Sequence, residues 1–193
     1  MTFMQDELLG ILIEESKRRL KMNGCHGYEH TERVMKLCKV LGERLGADMS
    51  VLIPATILHD IGRGKYDHAE KGAEEAGIIL KENGIPPDKI GRIVEAISVH
   101  SFSEGLEAAS LEAQILSDAD KLDAMGAIGV YRAGQYSGEH DRSLEDYVGH
   151  FHEKLLTLKD LLYTDEARKL AKNRHSFMES YLKEFVKELK AEA

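Results

Sequence analysis

Apolar residues recur along this chain at intervals of three and four, the period of a helix that buries one face. Leu9, Leu12, Ile13 and Leu20, with Ser16 among them, predict an amphipathic helix over about 4–22, ended by Asn23-Gly24. A second helix starts near Tyr28, turns Val34, Leu37, Cys38, Leu41 and Leu45 inward, and stops at Gly46. The run from Val51 to Leu58 is apolar along its length; Asp48 or Ser50 caps it, and the helix it predicts ends near His59-Asp60-Ile61-Gly62. Residues 67–81 form a fourth helix with Asn83-Gly84 as its stop. Pro86-Pro87-Asp88 opens a fifth over 89–101, with Ile90, Ile93, Val94 and Ile97 inward. Beyond a loop over 101–110, residues 111–136 read as a helix broken at Gly126 or Gly129. A polar loop over 137–143 leads to helical residues 144–162 and a terminal helix from about 165, striped by Leu170, Phe177, Tyr181 and Phe185. No segment shows a period of two, and no repeat of fixed length is present. The fold expected is all-α, a helical bundle in one domain over 1–193, with its core at about 26–136 and the helices of 144–193 packing on or capping it.

Composition narrows the function. Apolar residues make up 42% of the 193 and aromatics 6%, with no Trp, so the core is one of Leu, Ile, Val, Ala and Met. The net charge of −8 disfavours a nucleic-acid duplex, which demands a basic surface, but not a small anionic substrate, since a metal and a few local cations outweigh a distant screened field. Cys25 and Cys38 form no CxxC pair and read as reduced thiols, one exposed and one on a helix. The N-terminus carries acids early and lacks the basic start of a secretory signal, and no apolar run is long enough to span a membrane. A cytoplasmic location is expected.

The chemistry concentrates in three places. His59 continues a row with Leu52 and Thr56, and Asp60 beside it is costly to bury without a cation. Alone, that dipeptide reads as readily as a hydrogen-bonded core histidine and an aspartate capping the turn at Gly62. His30 lies one helical hairpin upstream on the face of Val34, Leu37 and Leu41. Downstream, Asp118, Asp120 and Asp123 share one helix with small neighbours that permit close packing, so one carboxylate can turn inward. Two imidazoles and two carboxylates make a nitrogen and oxygen set without thiolate, suited to one divalent ion per subunit: manganese first, with magnesium, cobalt, nickel, iron or zinc as alternatives. Such an ion lowers the pKa of its water and polarises a phosphoryl group. His68, at the start of the fourth helix, and His100, at the end of the fifth, are placed to donate to phosphate oxygens or to protonate a leaving group. Arg63 and Lys121 are candidate phosphate clamps. His26, His140, His150, His152 and His175 read as surface residues.

The order His30, His59-Asp60, Asp120, with the stretches "LHDIGR", "HAEKGAEEA", "AISVHS" and "LSDADKLDAMGAIGVYR", resembles the HD-domain superfamily of metal-dependent phosphohydrolases over about residues 26–136. Within it the chain is similar to small single-domain members that cleave nucleotides, some releasing pyrophosphate from nucleoside triphosphates. The resemblance implies ligands at His30, His59, Asp60 and Asp120, an all-α fold and dependence on manganese or another transition metal. Asp118 competes for the fourth place; the Ala-Asp-Lys-Leu core favours Asp120. Some relatives carry a His-His pair for a second metal; here His100 is followed by Ser101, which argues against a two-metal site and a cyclic-dinucleotide activity. Arg63 stands where some nucleotidase relatives carry glutamate, which argues against a monophosphatase. The expected reaction is hydrolysis of a nucleoside triphosphate to monophosphate and pyrophosphate, with His59, Asp60, His68, His100 and Lys121 catalytic and Arg63, His68, His100 and Lys121 on the substrate. A 5′-nucleotidase or phosphodiesterase on the same metal, or a regulatory module that binds a nucleotide, are the alternatives. The terminal apolar stripe would serve a homodimer or pack on the chain's own core, and both readings stay open.

Overall fold

The computed structural model describes residues 3–64, 66–101 and 107–192, without the side chains of residues 3–5. Nine α-helices appear among them: α1 (Phe3–Arg19), α2 (Tyr28–Leu45), α3 (Met49–Leu58), α4 (His68–Glu82), α5 (Pro87–Ser98), α6 (Leu111–Asp123), α7 (Gly126–Glu139), α8 (Leu144–His150) and α9 (Asp165–Leu189). No strand occurs among the described residues. Half of the loop expected over 101–110, residues 102–106, lies outside the described residues. The chain divides into two compact units, Met1–Asp120 and Lys121–Ala193.

In the first unit α3 is the centre. Every residue from Val51 to Leu58 is buried, because the segment has no polar face to offer water. Helices α1, α2, α4 and α5 pack around it. Each large side chain so enclosed is worth about 2 kcal/mol of apolar burial. Of the two caps considered, Asp48 is the one used: its Oδ1 accepts from the Ser50 amide at 3.0 Å. Asp48 also ties neighbouring helices to α3. Its Oδ2 lies 2.8 Å from Arg92 of α5, and its own amide donates to Glu112 of α6 at 2.8 Å. Gly46 ends α2 in a left-handed conformation, φ 72°.

After Leu58 the chain leaves the helix in tight turns, the Arg63 amide donating to the Asp60 carbonyl at 2.8 Å. That turn packs backbone to backbone on the start of α4. A Cβ on Gly62 would stand 2.2 Å from the His68 carbonyl oxygen and 2.6 Å from the Gly72 nitrogen. Only glycine fits, and the contact sets His68 beside the end of α3.

In the second unit α7 begins at Gly126, φ 72°, one of the two positions where a break was expected. A Cβ at Gly126 would also press the Arg174 side chain at 3.0 Å. Ser143 and Asp146 form a capping box at α8. The single helix expected over 144–162 is instead α8, a π-helical turn over Phe151–Leu155 and a 3₁₀ turn over Leu158–Leu161. This succession brings Phe151, Leu155, Leu158 and Leu162 all inward. Helix α9 packs on α7. Its buried row is Ala167, Ala171, His175, Met178 and Leu182, not the stripe of larger residues expected. Tyr181 and Phe185 flank that row and join Tyr147 and Phe151 in an aromatic cluster, whereas Phe177 stays 47% exposed. Two surface expectations fail for related reasons. His175 lies on the small-residue row and is buried, accepting from Lys159 Nζ at 3.0 Å. Cys25 is buried as Cys38 is, since the turn around it folds back onto the residues just past α1. Among the described residues no helix is long and apolar enough to cross a membrane.

Replacing Gly62 with Ala forces a methyl into backbone atoms that cannot yield as a side chain would. The expected loss is about 2 kcal/mol or more, read as a lowered denaturant midpoint in chemical unfolding.

Candidate metal centre

His59 is the first residue past α3 and is wholly buried. Its Nδ1–H donates to the Thr56 carbonyl at 2.8 Å, which leaves the Nε2 lone pair pointing away from the helix. Facing it at 3.3 Å is Nε2 of His30, also wholly buried, from the first turn of α2. Burial pushes the His59 pKa down to about 4, so near neutrality this ring is uncharged and presents a ligand-type lone pair. His30 Nε2 also lies 3.2 Å from Asp120 Oδ1.

Asp60 is the hub. Its Oδ2 lies 3.8 Å from His30 Nε2 and 3.9 Å from His59 Nε2; its Oδ1 lies 2.9 Å from Arg63 and 3.7 Å from His100 Nε2. Burial raises its pKa, but His59, Arg63, His100 and His30 more than offset this and hold the carboxyl well below its usual range. Asp120 follows the same logic: burial raises it, while the hydrogen bond and charge of His30 pull it well below. Two ionised carboxylates, the neutral His59 ring and the His30 ring thus converge at one place. A dication there would balance the carboxylate charge. Ligand atoms of His30, His59 and Asp60 all lie within 4.8 Å of one another, a spread one ion can bridge. Behind them the Cys38 thiol is pushed up to about 12 by burial and stays protonated, so the donors at hand are nitrogen and oxygen.

The other sequence candidates fall in different places. Asp123 pairs with Arg132 at 3.1 Å, and Asp118 is wholly buried; of the three α6 carboxylates, Asp120 is the one set against His30. His68 and His100 join Asp60 in a second group with ligand atoms within 4.8 Å. The His100 Nδ1–H donates to the Ile97 carbonyl at 2.6 Å, and its buried Nε2 makes no hydrogen bond. The presence of one histidine before Ser101 thus does not by itself close this side of Asp60 to an ion. Arg63 rests one edge of its guanidinium on Asp60, and its Nε is buried without a partner. Lys121 opens the second unit, buried, with Nζ 5.2 Å from the centre of the Tyr163 ring. One residue escaped the sequence reading. His26, taken as surface, has Nδ1 3.8 Å from Asp60 Oδ2 and its ring 6.1 Å from that of His30. Its spacing of four before His30 was the available signal, but it lies in a turn before α2, where helical periodicity gives no facing.

Residues 27–125 match the profile of the HD domain. The chain belongs to the HD-domain family. It is 32% identical to YpgQ of Bacillus subtilis over 173 residues, 85% of this chain and 84% of that protein. The crystal structure of YpgQ in complex with ADP superposes with a TM-score of 0.82 at 29% identity, covering 96% of this chain and 97% of that one. A Lactobacillus plantarum protein matches at 0.85 and 30% identity over 99% of both chains. An HD-superfamily hydrolase of Bacillus thuringiensis matches at 0.77 and 29% identity, over 97% of this chain and 99% of its own. HD domains bind divalent metals, and here the His and Asp cluster around Asp60 is the group that could hold one.

The His59 pKa fixes a pH dependence. In the unfolded chain this ring takes a proton below 6.5, in the folded metal-free chain only near 4. Between those values the unfolded state binds more protons, so stability rises with pH and is lost as pH falls from 6.5 toward 4. Asp60 and Asp120, depressed below 3.8, act in the same direction only at lower pH. In EDTA the Tm is expected to drop between pH 7 and pH 5, and His59→Ala is expected to flatten that slope.

Proposed function

We propose that this HD domain hydrolyses a phosphoanhydride bond of a nucleoside triphosphate, giving the monophosphate and pyrophosphate, with a divalent ion held by His30, His59, Asp60 and Asp120. One observation carries the reading: two imidazole Nε2 atoms stand 3.3 Å apart beside two ionised carboxylates, a nitrogen and oxygen set that suits a divalent cation. ADP in the YpgQ structure supports a nucleotide as the ligand class. When bound, the ion supplies Lewis acidity and a water of lowered pKa.

The protein's own groups do the rest. Thr56 fixes the His59 tautomer and so aims its lone pair inward. Arg63 grips Asp60, which keeps the carboxylate oriented while the buried Arg63 Nε–H remains available for a phosphate oxygen. His68 and His100 line the Oδ1 side of Asp60, where the phosphate chain lies in this reading. Asp60 and Asp120, both ionised, accept hydrogen bonds from the attacking water and direct it at the α-phosphorus. The burial of His30, His59 and Asp60 keeps bulk water from that side, which strengthens each of these interactions.

The test adds Mn²⁺ to metal-stripped protein, presents a panel of nucleoside triphosphates and separates the products by chromatography. Pyrophosphate with the monophosphate is expected, and His59→Ala and Asp60→Asn should each lower kcat by roughly 10²-fold or more. Inorganic phosphate as sole phosphorus product overturns the choice of bond. Full activity in His59→Ala overturns the site.

A further inference from the structure

We infer that His26 is a substrate-binding residue that donates a hydrogen bond to the polyphosphate chain at the entrance of the metal centre, an assignment that rests on the nucleotide reading above. Five histidines surround Asp60, and four of them fall in the two groups with ligand spacing. His26 differs. Its side chain is 34% exposed, while those of His30 and Asp60 are wholly buried, so it stands on the side of Asp60 that solvent and substrate reach.

Its position is built by the backbone. The turn is pinned to the residues just past α1 by Tyr28 N–H donating to the Lys21 carbonyl at 2.8 Å and Glu29 N–H to the Met22 carbonyl at 3.4 Å. A Cβ on Gly27 would stand 2.6 Å from the Met22 carbonyl oxygen, so the turn admits no looser packing. Cys25, Gly27 and Tyr28 on either side are buried, and the His26 ring is the part of the segment presented outward.

Two other roles fit less well. At 3.8 Å the approach to Asp60 is too long for a hydrogen bond, and Arg63 already holds that carboxylate, so His26 does not serve as its anchor. Nor does it join either group whose ligand atoms all lie within 4.8 Å of one another, His30 with His59 and Asp60 or His68 with His100 and Asp60. What remains is contact with a bound substrate, which would reach Asp60 from the exposed side where His26 stands. The anions of a triphosphate fit there because the imidazole N–H supplies a directed donor in either charge state with Nε2 or Nδ1 protonated.

The experiment uses the Mn²⁺-loaded full chain. Affinity for a non-hydrolysable triphosphate analogue is measured by calorimetry in wild type, His26→Ala and His26→Gln, with bound manganese counted by elemental analysis. Weakening of roughly 10-fold to 100-fold is expected in His26→Ala, with manganese content unchanged and partial recovery in His26→Gln, which restores an N–H donor. Affinity within twofold of wild type in His26→Ala overturns the assignment while leaving the metal centre intact. Loss of manganese in His26→Ala overturns it too, in favour of a metal ligand. Equal weakening in both variants with a collapsed Tm shows a purely structural role and also overturns it. Failure of wild type itself to bind the analogue sinks the nucleotide reading and takes this assignment with it.

Discussion

A buried carboxylate at the end of an apolar helix is the constraint from which the site follows. Helix α3 is enclosed on all sides, and the chain places Asp60 two residues past its end with no route to water. An unpaired charge there is not tolerated. Everything that surrounds Asp60 reads as compensation: an arginine and imidazoles on both of its oxygens. The apolar core thus does more than stabilise; it fixes the electrostatic problem that the site solves.

His59 answers it by being prevented from charging. Thr56 and Ile97 carbonyls accept the Nδ1 protons of His59 and His100, which turns both Nε2 atoms inward. Desolvation then keeps His59 neutral across the physiological range. Two negative carboxylates beside a neutral His59 ring favour a divalent ion.

Much of this was legible in the chain. The helices lie where apolar spacing placed them, and the break at Gly126 followed from a residue that accepts positive φ. His30, His59, Asp60 and Asp120 meet because their helices do, and period and burial can be read from a single sequence. What escaped was set by other means. Ala167 and Ala171 line the buried row of α9, yet large aromatics dominate any hydrophobic stripe on paper. His26 sits in a turn, where facing depends on backbone hydrogen bonds to the residues just past α1 rather than on period. The π turn in Phe151–Leu155 adds a residue to one turn of helix, a shift no propensity encodes.

The notch where Gly62 meets Gly72 has a further consequence. Because two main chains touch there, the span from Asp60 to His68 is gauged by peptide atoms and not by side chains that can swing. Two residues without donor atoms of their own thus set the distance between two that have them.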